Sequence, residues 1–198
     1  MATEGGQALL RGSRVRLRPL ERGDLSRYQE LFFEPEISLH YGELGVPENL
    51  DRLQRRFEAG EFDTTDRSLL LVIETEGTLI GTMQLKNTEN LPSRSATFGI
   101  MIGDPAYLDR GYGTEASTLL LDYAFAVLGY HKINLDLFEY NARALAMYEK
   151  LGFVLEGRRR ENHWSRGRFW DDILMGVTAE EWWTKHGRPR PPELGPAR

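Results

Sequence analysis

Two kinds of apolar pattern recur along this chain and predict β-strands. Some stretches are apolar throughout, and others alternate apolar and polar residues with a period of two. Glu76 and Gly77 form a tight-turn signal between two such stretches, which predicts a hairpin. The predicted strands are residues 15–18, 68–75, 78–86, 96–103, 131–138, 153–159 and 169–178.

A period close to 3.6 residues predicts helices between these strands. The clearest apolar face comprises Ala116, Leu119, Leu120, Tyr123, Ala124 and Val127, and Gly129 is placed to end that helix. Asn141 is a plausible N-cap for a helix that Gly152 ends. Further helices are predicted from the N-cap candidate Asp24 to residue 33, at 49–59 after Pro47, and at 180–183.

Strands, hairpins and helices in this order indicate an α/β or α+β fold, with a sheet of mixed direction and helices on both faces. The 198 residues suit one domain. Residues 1–12 lack the apolar core of a signal peptide and are expected to form a flexible arm. The last residues, 185–198, are rich in proline and are expected to be disordered. The domain itself is expected at 13–184.

Composition excludes several classes of protein. The 40% hydrophobic and 11% aromatic content is that of a globular chain. The absence of cysteine excludes a disulfide framework, a thiolate zinc site and a cysteine nucleophile, and it fits a cytoplasmic location. No apolar run approaches the ~20 residues of a membrane helix. The net charge of −5 argues against nonspecific nucleic-acid binding and is compatible with a cationic substrate.

A glycine-bracketed loop at 110–114 joins the strand at 96–103 to the helix that begins beside it. Such a loop offers unpaired backbone N–H groups and the positive end of a helix dipole to a phosphate. Gly111 and Gly113 let the backbone come close to the anion. Ordinary turn geometry explains the glycines equally well when they are considered alone.

A second motif follows the next strand. The residues from Asn141 to Phe153 fit N-x-x-A-x-x-x-Y-x-K-x-G-F. Together with the loop, this motif resembles the acetyl-CoA site of the GNAT superfamily of N-acetyltransferases. The family loop reads Q/R-x-x-G-x-G/A, and its first position is Leu108 here, so no polar side-chain contact is expected from that position. The resemblance is strongest over residues 96–155, and the closest branch contains ribosomal-protein alanine and spermidine N-acetyltransferases.

The resemblance implies a mixed, mostly antiparallel central sheet of about six to seven strands, and a single acyl-CoA N-acyltransferase domain at 13–184. It implies transfer of acetyl from acetyl-CoA to a primary amine through a ternary complex, without a metal. The backbone of the strand before the loop should polarise the thioester carbonyl. The implied cofactor-binding residues are Met101, Ile102, Arg110, Gly111, Tyr112, Gly113, Thr114, Asn141 and Ala144.

Tyr148 has two interpretations. By position it lies on the helix face of Ala144 and Leu145, which is typical of a core tyrosine. By resemblance it is the general acid that protonates the leaving CoA thiolate. Thiol and phenol pKa values of roughly 8.5 and 10 make such a transfer nearly balanced.

The acceptor and the general base stay open in the sequence. The candidates for the base are Asp136, Glu139, Glu36 and a water chain. An acceptor ammonium is expected between residues 34–47 and 163–172, where acidic and aromatic side chains are available. These side chains are Glu34, Glu36, Tyr41, Glu43, Trp164, Trp170, Asp171 and Asp172, with His163 bordering the pocket. A peptide N-terminus is favoured narrowly over a polyamine, on the resemblance alone.

Other features leave alternatives. One basic segment contains Arg158, Arg159, Arg160, Arg166 and Arg168. It is either a solvated surface or a surface that binds an acidic partner or rRNA. No direct nucleic-acid partner is expected. A homodimer is left open. Two rival functions are a non-catalytic acyl-CoA-binding module and a dinucleotide-binding oxidoreductase, because Gly111, Gly113 and Ala116 formally fit G-x-G-x-x-G/A.

Overall fold

The computed structural model describes residues 10–34, 37, 39–40, 48–65, 68–86 and 94–187. Its centre is a sheet that, within these residues, has seven strands in the order β1-β2-β3-β4-β5-β7-β6. The strands are β1 (Arg16–Arg18), β2 (Ser68–Thr75), β3 (Thr78–Lys86), β4 (Ser95–Ile102), β5 (Lys132–Phe138), β6 (Val154–Ser165) and β7 (Arg168–Thr178).

All neighbouring strands pair antiparallel except β4 and β5, which run parallel. The prediction of a mixed, mostly antiparallel sheet is confirmed. The helices of the described residues are α1 (Leu25–Phe32), α2 (Leu50–Glu58), α3 (Tyr112–Ala126), α4 (Ala142–Leu151) and α5 (Ala179–His186).

Each face of the sheet carries its own apolar core, because successive strand residues point to opposite faces. Leu71 and Ile73 of β2 join a core with α3, α4 and α5, where Trp182 is fully buried. Val72 points the other way, into a smaller core with α1 and α2 that includes Leu53. Helices therefore cover both faces, as the order of elements predicts.

The predicted element boundaries differ from the structure at several ends, and Asp24 precedes α1 without a side-chain cap bond. The segment after Arg159 is not a connection, because β6 continues to Ser165 and forms a long hairpin with β7. The register shifts between Arg159 and His163, and Glu161 there has a φ of 51°. Helix α3 ends at Ala126, with Val127 as its C-cap, rather than running to Gly129.

The chain ends are ordered further than the sequence indicates. Gly12 donates its N–H to Val15 O, and Leu17 donates to Leu10 O, so residues 10–12 are tied to the start of β1. Helix α5 reaches His186, inside the segment expected to be disordered. The expectations for residues 1–9, Pro47 and 188–198 lie outside the described residues.

Candidate active site

A gap between β4 and β5 places the site. Residues Ser95–Thr97 of β4 align with Lys132–Asn134 of β5, and no pairing follows, although both strands are described to their ends. Each strand stays paired to its other neighbour, β4 to β3 as far as Ile102 and β5 to β7 as far as Phe138. The two strands therefore diverge and leave an opening across the sheet.

A cavity of about 570 Å³ fills this gap and takes its lining from both faces. We call the side formed by α3, α4 and the loop before α3 the cofactor wall: Gly111, Gly113, Thr114, Asn141, Ala144 and Tyr148. We call the opposite side the acceptor wall: His40, Gln84, Thr97, Gly99, Asp136 and Phe138. Met101 and Ile102 line the cavity between them.

The glycine loop has the geometry of an anion site. Gly111 is the N-cap of α3 with a φ of 82°, a left-handed conformation that residues with a side chain adopt only with strain. The first intrahelical bond runs from Glu115 N–H to Gly111 O, so the N–H groups of Tyr112, Gly113 and Thr114 have no helical acceptor. These groups and the helix dipole converge at the cavity edge.

Gly113 lies against α4 beside the cavity. A Cβ at this position would lie 3.4 Å from the Met147 sulfur of α4, at the limit of ordinary van der Waals contact. The side chains of Arg110 and Tyr112, in contrast, do not line the cavity. Tyr112 packs edge-on against Tyr107, with ring centroids 5.5 Å apart.

The backbone of β4 supplies further donors. Gly103 donates its N–H to Ile80 O of β3 at 2.9 Å. Because strand backbone groups alternate in direction, the N–H of Met101 also points to β3, while those of Ile100 and Ile102 point to the gap. The Met101 side chain lies in the smaller core and is 4% exposed.

A side-chain cap starts α4 at the cavity, as the sequence predicts. Asn141 Oδ1 accepts a hydrogen bond from Ala144 N–H at 3.2 Å. Gly152 ends the helix with a φ of 107°. Both Asn141 and Ala144 line the cavity, so the first turn of α4 faces the same space as the first turn of α3.

Tyr148 fits both of its interpretations. It is 6% exposed and packs edge-on against Phe98 and Phe153, at centroid distances of 6.2 and 5.6 Å. The same side chain lines the cavity. Tyr148 is therefore part of the core and also accessible from the cavity.

The acceptor wall carries one carboxylate, that of Asp136. Leu135 and Leu137 of β5 are buried, so Asp136 and Phe138 point to the other face and into the cavity. Among the described residues, none makes a hydrogen bond or ion pair with Asp136. Glu139, another candidate base, instead accepts from Arg158 at 2.9 Å and lies outside the cavity lining. Glu36 lies outside the described residues.

Aromatic rings extend the acceptor wall. His163 stacks on Phe138 with centroids 3.8 Å apart, and Tyr140 stacks on the same ring at 5.4 Å. Tyr140 donates its hydroxyl to Leu39 O at 2.6 Å, and burial raises the pKa of its phenol. Tyr140 therefore contacts both segments expected to hold an acceptor, residues 34–47 through Leu39 and residues 163–172 through His163.

The remaining residues proposed for the acceptor are divided. Trp170 stands edge-on to Tyr140, whereas Trp164 is exposed and packs on Phe169. Asp172 is buried and accepts from Asn162. The backbone N–H of Glu161 and the nearby Arg158 lower the pKa of Asp171. Tyr41 and Glu43 lie outside the described residues, and Glu34 does not line the cavity.

Several residues that line the cavity were not among the site residues predicted from the sequence. Met147 lies one turn from Ala144 on α4, so helical spacing could have revealed it. Arg143 forms an ion pair with Asp109 at 3.5 Å, and both line the cavity. Gln84, Thr97 and His40 come from separate elements that only the tertiary fold brings together.

Two features are absent from the described residues, a metal-binding cluster and a membrane-spanning helix. These residues contain no group of three or more His, Cys, Asp or Glu side chains placed to hold a metal. Their helices are too short or too polar to cross a bilayer.

Comparison with known proteins identifies the family. Residues 14–154 match the model described as the acetyltransferase (GNAT) domain. The chain belongs to the GNAT acetyltransferase family. It is 30% identical to the spermidine N(1)-acetyltransferase of Escherichia coli K12 over 175 residues, 88% of this chain and 91% of that one. It is 33% identical to the Vibrio cholerae enzyme of the same name over 165 residues, 83% and 93% of the two chains.

Solved structures agree with this membership. The crystal structure of spermidine N-acetyltransferase from V. cholerae in complex with CoA and spermine superposes with a TM-score of 0.77 at 31% identity, covering 86% of this chain and 99% of that one. This GNAT protein is therefore an enzyme that transfers acetyl from acetyl-CoA to an amine. The oxidoreductase and non-catalytic alternatives have no support among these relatives.

Proposed function

We propose that acetyl-CoA binds along the cofactor wall and that the amine enters from the acceptor wall, so that both substrates meet in one ternary complex. The single observation behind this proposal is the cavity itself. It runs through the gap between β4 and β5 and joins the N-terminus of α3, Tyr148 and Asp136. The pyrophosphate lies on the N–H groups of Tyr112, Gly113 and Thr114, and the thioester lies between the strands.

The chemistry follows from these positions. The neutral amine nitrogen attacks the thioester carbonyl, whose oxygen is polarised by the gap-facing N–H groups of β4. The carbon–sulfur bond then breaks, and the thiolate takes the proton of the Tyr148 hydroxyl. The proton lost by the amine passes to Asp136 or to water, and the phenolate regains a proton from solvent.

We propose that the acceptor is a small cationic amine of the spermidine class. Asp136 supports this assignment because a cavity carboxylate with no hydrogen bond or ion pair to any described residue attracts an ammonium group. The aromatic ring of Phe138 beside it suits both the charge and the methylene stem of such an amine. The matches to the two spermidine N(1)-acetyltransferases cover most of this chain and most of each relative, which also supports the assignment to a small cationic amine.

A peptide N-terminus is the second candidate, and the narrow preference drawn from the sequence favours it. The β6–β7 hairpin leaves Arg159 and Arg160 exposed beside the acceptor wall. Such a basic surface suits an acidic protein substrate. One relative, 27% identical over 107 residues (54% of this chain, 57% of that one), is a putative ribosomal N-acetyltransferase of Bacillus subtilis.

A free-thiol release assay distinguishes these acceptors. Spermidine, spermine and peptides with a free N-terminal alanine are each offered with acetyl-CoA, and an N-blocked peptide is the control. We expect turnover with spermidine or spermine. Turnover with free peptides alone would replace the polyamine assignment, and turnover only with hydroxyl or thiol acceptors would reject the proposed amine chemistry.

A further inference from the structure

Glu115 presents an electrostatic problem at the cofactor site. It lies in the first turn of α3, directly after the N–H groups proposed to bind the pyrophosphate. A carboxylate there interacts well with the helix dipole. The same charge would repel a phosphate bound at the adjacent N–H groups, and added salt would weaken that repulsion. The site needs something that neutralises Glu115 or directs it away.

The segment before β1 supplies that partner. Arg14 donates its backbone N–H to Glu115 Oε1 at 2.8 Å, and its Nε donates to Oε2 at 2.8 Å. Ser13 adds a hydroxyl bond to Oε1 at 3.0 Å. Both carboxylate oxygens are thus held by residues 13 and 14. The Glu115 side chain is 17% exposed and that of Arg14 is 46% exposed, so the carboxylate is the shielded partner and the guanidinium is half-exposed.

Arg14 also holds the glycine loop. Its Nη1 donates to Arg110 O at 2.7 Å, and its guanidinium carbon lies 4.9 Å from the Tyr112 ring centre. Its Nη2 would lie 3.2 Å from a Cβ on Gly111. Thr75 of β2 donates to Arg14 O at 2.8 Å, which fixes the backbone that carries the guanidinium.

The loop's own first position brings no such group. Leu108 stands there and packs against the smaller core. The loop therefore receives its guanidinium from a segment about a hundred residues earlier in the chain.

We propose that Arg14 is a positioning residue for the cofactor, which neutralises Glu115 and holds the glycine loop in its phosphate-binding form. This inference rests on the proposed placement of the pyrophosphate on the loop. Arg14 does not line the cavity, so it acts through Glu115 and the loop backbone rather than on the thioester.

The ionisation of Glu115 is consistent with this role. Burial alone would raise the pKa of its carboxyl, but hydrogen bonds from the Arg14 backbone and side chain and from Ser13 bring the pKa below its usual value. The carboxylate is therefore charged at neutral pH, where it requires a counterion.

A double-mutant cycle tests the electrostatic part. The Kd for CoA is measured by calorimetry in Arg14→Ala, Glu115→Gln and the double variant, with the melting temperature recorded for each. We expect Arg14→Ala to raise the Kd roughly tenfold, and Glu115→Gln to recover much of that loss in the same background. No recovery in the double variant would overturn the neutralising role.

A truncated donor separates positioning from general structural damage. S-acetylpantetheine lacks the pyrophosphate, so Arg14→Ala should leave its KM unchanged while raising the KM for acetyl-CoA. The acetyl-CoA effect should also shrink as salt is added. Equal rises for both donors would mean that Arg14 only supports the fold. Arg14→Lys keeps the charge but lacks the planar guanidinium. Its KM for acetyl-CoA should therefore lie between those of the wild type and Arg14→Ala.

Two variants make a failure interpretable. Arg16→Ala removes a similarly exposed arginine that lies 4.0 Å from Glu74, away from the loop, and should leave CoA binding unchanged. Gly111→Asp tests the loop placement itself. If Gly111→Asp weakens CoA binding and Arg14→Ala does not, the loop assignment stands and the role of Arg14 fails. If neither variant changes CoA binding, the placement of the pyrophosphate on the loop is wrong, and the proposed role of Arg14 fails with it.

Discussion

The two walls of the cavity are built by different means. The cofactor wall consists largely of backbone, with unpaired N–H groups at the N-terminus of α3, an asparagine cap on α4, and two glycines that allow close approach. The acceptor wall consists of side chains from β3, β4, β5 and the segment around His40. The first carries two sequence motifs, the glycine loop and the segment from Asn141 to Phe153, while the second has little that a motif could capture.

The difference follows from what each wall recognises. A phosphate is bound well by backbone N–H groups, and the backbone geometry they require restricts the sequence at a few fixed positions. An amine acceptor is read by charge and shape, which many combinations of side chains provide. The cofactor wall should therefore respond sharply to single glycine changes, and the acceptor wall to changes of charge.

The largest effect should come from Tyr148→Phe, which stands where the walls meet. Loss of the proton donor is expected to lower kcat by ~10²–10⁴-fold while leaving CoA affinity and the melting temperature near wild type. Tyr130→Phe is the control, since Tyr130 is half-buried outside the cavity. Wild-type turnover in Tyr148→Phe would make Tyr148 structural and assign the donor role to another group.

Gly111→Asp should break the cofactor wall alone. Its left-handed backbone strains any side chain, and the new carboxylate would meet the pyrophosphate, so CoA affinity should fall about a hundredfold. Gly167→Asp is a matched control, because Gly167 has a φ of 79° in the β6–β7 turn with open space around it. Equal loss of CoA binding in both variants would attribute the effect to strain rather than to the site.

Asp136→Asn should affect the acceptor wall alone. Removing the charge is expected to lower kcat/KM for a cationic amine about tenfold, with the KM for acetyl-CoA unchanged. Glu139→Gln removes a nearby carboxylate that Arg158 already binds, outside the cavity, and should change kcat/KM little. An unchanged kcat/KM for the amine in Asp136→Asn would contradict the role given to Asp136 on the acceptor wall.

The smallest effect should come from Asn141→Ala. This variant distinguishes the helix-capping role of Asn141 from a contact with the cofactor. Loss of the cap should destabilise the fold by ~1 kcal/mol. Asn49 caps α2 in the same way, with its Oδ1 2.8 Å from Arg52 N, and lies away from the cavity. Both alanine variants should lower the melting temperature, but only Asn141→Ala should raise the KM for acetyl-CoA, by a few-fold. An unchanged KM would leave Asn141 as a cap alone.

Much of the fold was readable because its signals are local. The alternation around Leu135 and the caps at Asn141 and Gly152 depend on residues next to them in sequence, and the structure has them as predicted. The extent of β6 was not readable. Its residues from Arg160 to Asn162 are polar and exposed on an edge strand, so no apolar alternation continues past Arg159, and only pairing with β7 makes the segment a strand.

The residues of the site differ in the same way, because some are marked by local sequence motifs and others are not. The glycine loop and Tyr148 carry motifs, and the structure brings them to one cavity. Arg14 carries no motif, since its contact with Glu115 joins positions about a hundred residues apart. Gln84 and Thr97 face the cavity only because β3 and β4 pair in one register. Such contacts depend on the tertiary fold, which a single sequence does not reveal.

Hydrogen–deuterium exchange with and without CoA tests the central claim most directly. If the cofactor wall binds phosphate through its backbone, CoA should slow exchange at the amides of Tyr112, Gly113 and Thr114, and leave those of Asp136 and Phe138 nearly unchanged. Protection confined to β5, with none at the start of α3, would contradict the account.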